Sequence, residues 1–340
     1  MLQYGLRLKG ETMEQLKEWA QKAESARFDY LWAQELYTTP FVGPAAVAGF
    51  TNRIQLGSSI ALSFVRSPLE TALTALDLDA ITNGRYILGL GTGVQRLNER
   101  WHGVTDYGRP APHLKECIRL VRQIMQTVHT GERIQFKGEY YNLDIVGFSR
   151  PIKPVRERVP IFAAAIGEGM VRNMAEVADG LLGQVMVSYR WMRDMFIPAV
   201  EVGLKRAGRT RKDIHLAPSV SIAIARDVKK AKRDLARTVS FYCTVGTYAP
   251  LFAHYGFAKQ QALVREQFQK HGGHGPHCFD LIPDEMVDAF FVAGTPDQAR
   301  ELVQKYEGMA DSVILGPPSY FLSFEEVEEY QYAILDTFAR

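Results

Sequence analysis

Residues Arg53–Gly93 read RIQLGSSIALSFVRSPLETALTALDLDAITNGRYILGLGTG. The stretch opens with a short β-rich run, Ile54–Ile60, then passes through a polar turn. A helical pattern follows from about Pro68 to Ile81 and closes at Asn83-Gly84. A second apolar run, Arg85–Leu90, ends in Gly91-Thr92-Gly93. Two nearly continuous apolar runs flanking a helix are the signature of a β-α-β unit whose strands are buried on both faces of a parallel sheet. Small residues fall just past the carboxyl ends of both strands, where α/β folds place their ligands.

Towards the N-terminus the same alternation repeats. Leu2–Leu8 reads as a strand, Thr12 as the cap of a helix Met13–Ser25, and Phe28–Ala33 as a second strand ending at Gln34-Glu35-Leu36. Pro44–Phe50 gives a short helix. Towards the C-terminus a polar loop, Gln95–Arg109, precedes a helix from about Pro112 to His129. Residues 131–150 read as an inserted β-hairpin. Strands and helices then alternate through Val159–Ala165, Gly169–Ala178, Gly180–Val185, Tyr189–Ala207 and His215–Ala225. A mainly helical insertion runs from Val228 to Gln269, and 240–285 is expected to leave the alternation. Pro296–Gly308, Ser312–Leu315 and Phe324–Phe338 complete the chain as helix, strand and helix. Eight strands feed helices, which predicts an α/β fold of the (β/α)8 TIM-barrel type, a single domain over 1–340.

Composition bounds the function. The 340 residues are 46% hydrophobic and 23% charged, with a net charge of +2, ordinary values for a globular protein. No single-sign block points to nucleic acid or to a membrane surface. The first residues lack the plan of a signal peptide, and no window is apolar for the roughly 20 residues that a spanning helix needs. Cys117, Cys243 and Cys278 are three and widely spaced. They fit unpaired thiols in a reducing, cytoplasmic setting.

Several short constellations bear chemistry. Gly89-Leu90-Gly91-Thr92-Gly93 fails as a dinucleotide fingerprint, because Val94 stands where the third glycine belongs. Its glycines either let a flat ring lie against bare backbone or merely shape a strand end. Ala165, Ile166, Gly167, Glu168 and Gly169 join a strand to a helix, and could leave N–H groups free for an anion or form an ordinary loop. Glu168 would repel a phosphate unless it turned outward. Glu35 is a candidate proton donor or ring partner, or one half of a salt bridge. Arg7 and Trp101 are candidate substrate contacts, and Arg66, Arg96 and Arg100 could attract an anion or simply be solvated surface charges. His271, His274, His277 and Cys278 have spacings that zinc could use, but a glycine-rich mobile loop accounts for them too, and no metal is assigned.

The ordered set LGSSIALSFVRSP, GRYILGLGTG, NERWHG, VPIFAAAIGEGMVRNMAEVADG and IPDEMVDAFFVAGTPDQARELV with DSVILGPP resembles the luciferase-like monooxygenase superfamily. Within it the chain is similar to the oxidoreductases that use the deazaflavin coenzyme F-420. The resemblance implies hydride transfer between that cofactor and a small organic substrate, with an FMN-dependent monooxygenase or a non-catalytic flavin-binding barrel as alternatives. It implies a homodimer. It also implies a non-proline cis peptide between Ser59 and Ile60, with Ile60 and Leu62 beside the ring. Thr92 and Gly93 would contact the ring or phosphate, the 165–169 loop would hold the phosphate, and Gly183 would lie nearby. Relatives often place a histidine after the acidic residue at position 35; here it is Leu36.

Overall fold

The computed structural model describes all 340 residues. Its strands are β1 (Gln3–Arg7), β2 (Tyr30–Ala33), β3 (Gln55–Ser58), β4 (Ala61–Leu62), β5 (Tyr86–Gly91), β6 (Ile134–Lys137), β7 (Asn142–Ile145), β8 (Ile161–Ala165), β9 (Gly180–Gly183), β10 (His215–Ile224), β11 (Val292–Gly294) and β12 (Ser312–Gly316). The main sheet runs β11-β10-β12-β1-β2-β3-β5-β8-β9, and β9 also bonds to β10. That last pairing closes a ring of eight, so the fold is a (β/α)8 barrel. The eight strands are those the sequence alternation anticipates. Two short strands were not anticipated: β4, paired with β5, and β11, paired with the end of β10.

Contacts along the backbone divide the chain into two units. The first comprises Gly5–Leu182 and Met195–Ala217. Its parallel strands carry Leu31, Leu56, Leu88, Leu90 and Ile161 with no exposed surface. Burying each such side chain contributes about 1.5–3 kcal/mol, which drives the strands inward. The helix Met13–Ser25 starts at a capping box in which Thr12 Oγ1 accepts from Gln15 N–H and Gln15 Oε1 accepts from Thr12 N–H. Pro68–Ile81 starts on Ser67, with Pro68 in its first turn. Asn83 and Gly84, both at positive φ, turn the chain from that helix into β5.

Between β3 and β5 the packing is very close. Ser58 Oγ donates to the Gly89 carbonyl at 2.8 Å and accepts the Gly89 N–H at 2.9 Å. A Cβ on Gly89 would fall 1.8 Å from the Ser58 carbonyl oxygen, so no side chain fits there.

Strands β6 and β7 form the antiparallel hairpin within 131–150. The Glu116 carboxylate grips its turn by accepting N–H groups from Glu139, Tyr140 and Tyr141 at 2.7–2.9 Å. His113 stacks between Phe64 and Tyr140, with ring centroids 3.8 and 4.2 Å away.

The second unit comprises Met1–Tyr4, Gly183–Asp194 and Pro218–Arg340. It contains the helices Val228–Thr244, Ala249–His254, Ala258–His271, Pro276–Phe279 and Asp284–Phe290, which make up the helical excursion before β11. No helix of the chain is long and apolar enough to cross a membrane.

Candidate functional site

β2, β3, β5 and β8 are successive neighbours in the sheet and run parallel, so their carboxyl ends share one rim. Glu35, Ser59–Leu62, Thr92–Gly93 and Ala165–Gly169 lie at or just past those ends, all within the first unit. The sequence therefore brings most of its candidates to one place.

The Ser59–Ile60 peptide is cis. Ile60 then covers the end of β5: a Cβ on Gly91 would lie 2.8 Å from Ile60 Cδ1 and 3.2 Å from Ala164 Cβ. Leu62 covers Gly93 in the same manner, at 2.4 Å from the place of a Cβ, and Gly93 has φ +63°. Of the two readings open for Gly89 and Gly91, close packing at a strand end is the one this geometry favours. Their missing side chains make room for Ser58 and Ile60.

Glu35 is almost fully covered, with 7% of its side chain exposed. Its Oε2 accepts from the Leu62 N–H at 2.6 Å and from Arg66 Nη1 at 2.9 Å, and Oε1 pairs with Arg66 Nη2. Both oxygens are therefore engaged as acceptors, which is the salt-bridge role and not the arrangement of a proton donor. The Arg66 guanidinium also stands 5.1 Å from the Phe41 ring. Arg66 is committed to Glu35 and is not free for an acidic tail, a correction to the sequence reading.

After Gly93 the chain does not form the polar loop expected over Gln95–Arg109. Gln95–Trp101 is a helix, and Asn98 is its one buried residue. Asn98 Nδ2 donates to the Thr92 carbonyl at 2.8 Å and the Val94 carbonyl at 3.1 Å. Its Oδ1 is buried and has no hydrogen-bond partner. The Tyr107 hydroxyl donates to the Gly93 carbonyl at 2.9 Å, and burial raises the phenol above its ordinary pKa, keeping it a donor. Sequence reading missed Asn98 and Tyr107. No local signal separates Asn98 from Gln95 or Glu99, because a seven-residue helix with one buried position has no periodicity to read. Arg96 and Arg100 on this helix are exposed and make no ion pair. Trp101, at 70% exposure, projects from its end.

Gly167 caps the helix Glu168–Ala175 without any side-chain cap bond. A Cβ on Gly167 or on Gly169 would meet nothing within 4 Å, so space is open beside the start of this helix. Glu168 turns along its own helix to pair with Arg172, and so answers the repulsion raised by its sequence position. Ala165 is buried at the end of β8, and Ile166 is partly so. An uncapped helix N-terminus of this kind favours an anion.

Arg7 ends β1 beside Trp32 of β2, on the same rim, and its carbonyl accepts the Trp19 indole N–H at 2.9 Å. Gly183 belongs to the second unit; a Cβ on it would lie 3.0 Å from Pro218 Cα and 3.3 Å from Val187 Cβ, so packing accounts for it. His274 reaches the hydroxyls of Ser240 and Thr244, and His277 reaches the Gly273 carbonyl. No group of three or more His, Cys, Asp or Glu is arranged to hold a metal ion.

Comparison with known proteins adds context to this geometry. Residues 2–312 match the family model described as luciferase-like monooxygenase. An uncharacterized protein of Mycobacterium tuberculosis is 32% identical over 322 residues, 91% of this chain and 92% of that one. The F-420-dependent glucose-6-phosphate dehydrogenase of Intrasporangium calvum is 29% identical over 303 residues, 86% and 79% of the two chains. Among solved structures, the coenzyme F-420-dependent tetrahydromethanopterin reductase of Methanopyrus kandleri superposes with a TM-score of 0.81 at 21% identity, covering 99% of both chains.

Proposed function

The chain belongs to the luciferase-like monooxygenase family and is an oxidoreductase, and from that premise we propose that it transfers a hydride between coenzyme F-420 and a small organic substrate. The F-420-dependent dehydrogenase among its relatives supports the choice of deazaflavin. The observation that carries the reading is the unpartnered Oδ1 of buried Asn98, beside Thr92 and Gly93. A buried acceptor left without a donor costs about 1–3 kcal/mol, and a heterocycle N–H would satisfy it. The open, uncapped N-terminus at Gly167–Gly169 fits the other requirement, a place for a phosphate.

In this reading Asn98 and Thr92–Gly93 hold the polar edge of the ring, and Ile60 and Leu62 supply an apolar wall. Ala165, Ile166, Gly167, Glu168 and Gly169 form the phosphate loop. Arg96 and Arg100 meet the acidic tail, and Arg7 and Trp101 face the substrate. When bound, the deazaflavin supplies the hydride chemistry at the ring carbon that replaces the central nitrogen of a flavin. The protein binds, orients and excludes water. Glu35 acts as a positioning residue: with Arg66 it fixes the backbone of Leu62. Residues 1–340 are taken as one catalytic domain, acting as a homodimer.

The test is a pair of fluorescence titrations, with F-420 and with FMN. Tight binding of F-420 and weak binding of FMN is expected. Equal affinities would return the reading to an FMN-dependent monooxygenase, and binding of neither would remove it.

A further inference from the structure

The second unit contains a cavity of about 250 Å³ whose lining includes none of the candidate residues discussed above. Its walls are apolar and largely aromatic: Tyr189, Tyr255, Phe290, Val292, Leu302 and Tyr306. Tyr189 meets Tyr306 edge-on, with centroids 6.0 Å apart, and Tyr255 meets Phe290 edge-on at 4.8 Å. A space of this size and lining suits a molecule of one ring, smaller than a drug-sized ligand.

The charges around it do not cancel. Arg190 and Arg193 share Asp194, at 3.4 Å from Oδ2 and 2.6 Å from Oδ1, which leaves one positive charge, and the Arg190 guanidinium lies 5.0 Å from the Tyr255 ring. Lys232 is shared by Asp288 at 2.7 Å and Asp284 at 3.4 Å, which leaves one negative charge and offsets the first. Lys305, exposed at the rim, has no ion pair. One positive charge therefore remains uncompensated.

A hydrogen-bond donor remains as well. The Ser188 and Tyr255 hydroxyls bond to each other. Two hydroxyls carry two hydrogens and this bond uses one, which leaves one O–H to donate. Burial raises the Tyr255 and Tyr306 phenols above their ordinary pKa, so both stay neutral and add no negative charge. The chain next to the cavity also departs from regular helix, with a π-helical turn at Met192–Phe196. Such turns recur at functional sites.

We propose that this cavity binds a small aromatic monocarboxylate, with its ring between the tyrosine and phenylalanine walls and its carboxylate at Lys305. A single uncompensated cation suits a monoanion, and the apolar lining disfavours a compact, strongly hydrated phosphate. The proposal does not depend on the identity of the cofactor.

The test is isothermal calorimetry of the full chain with benzoate, and with benzamide as its neutral counterpart. Benzoate should saturate at one site per chain and bind more tightly than benzamide. Lys305→Gln, an exposed position that should not affect folding, should bring benzoate down to the benzamide affinity, a loss on the order of tenfold. Leu302→Trp, which fills the cavity, should remove binding of both. Absence of saturable benzoate binding overturns the proposal, as does benzoate affinity unchanged in Lys305→Gln. Benzoate binding retained in a folded Leu302→Trp protein overturns it too.

Discussion

The Glu35 carboxylate and the Leu62 backbone N–H meet at 2.6 Å, tying the chain after β2 to the short strand β4. Arg66 closes the arrangement from the other side, and only 16% of its side chain is exposed. A carboxylate so placed depends on both donors. Removing one partner of a covered ion pair costs more than the pair itself contributes, because the remaining charge is left desolvated.

Arg66→Leu should therefore destabilise the protein by about 3 kcal/mol, since the Glu35 charge keeps only the Leu62 N–H. Glu35→Gln should cost less, about 1–2 kcal/mol, because an amide oxygen still accepts from Leu62 and Arg66 retains the Phe41 ring. Urea unfolding of both variants checks the order. A smaller loss in Arg66→Leu than in Glu35→Gln would show that the pair does not secure this segment.

Two substitutions at Gly167 separate folding from binding. Because a Cβ there meets nothing within 4 Å, Gly167→Ala should fold and melt as the parent does. Gly167→Asp places a negative charge at the helix N-terminus, so it should also fold, and the dipole favours it slightly. It should nevertheless abolish F-420 binding, by competing with the phosphate for the same N–H groups. Unchanged F-420 affinity in Gly167→Asp would place the phosphate elsewhere.

The alternation of apolar strands and amphipathic helices made the barrel legible, since most of its eight strands are buried runs bounded by turn residues. β4 and β11 escaped because two or three residues carry no period. The rim of the site was legible through its small residues, but their reasons were not. The sequence left Gly89 and Gly91 open as a ligand's approach or a strand end, and the structure fills the place of their side chains with Ser58 and Ile60. The Glu35–Arg66 pair joins residues 31 positions apart, and nothing local announces such a partner. Asn98 was hidden because one inward turn of a short helix looks like a polar loop.

Asn98 yields the next prediction. Asn98→Ala removes both the orphaned Oδ1 and the bonds from Nδ2 to the carbonyls of Thr92 and Val94. F-420 affinity should fall on the order of tenfold, since one buried polar contact to the ring is lost. Fluorescence titration measures this, and circular dichroism establishes that the variant is folded. A folded Asn98→Ala protein with parental affinity would mean that the orphaned oxygen faces something other than the ring.

Glu24 links the start of β3 to acidity. Its carboxylate ends the helix Met13–Ser25 and accepts backbone N–H groups from Asn52, Arg53 and Ile54, at 2.6 to 3.1 Å. Burial raises its pKa, but the three backbone donors and the nearby Arg53 charge outweigh this, so the folded value lies below the ordinary 4.5. A depressed folded pKa means that the unfolded chain takes up the proton first as pH falls. The stabilisation is therefore fully present above pH 4.5 and is lost as pH drops through the folded value. Glu24→Gln cannot carry the charge, so it should melt below the parent at pH 7. The gap should narrow progressively below pH 4.5, as the parent's own carboxylate becomes neutral. Melting curves of both proteins across that range test the sign. A gap that stayed constant with pH would show that the three N–H donors do not favour the charged form, and that β3 is anchored at this end by packing alone.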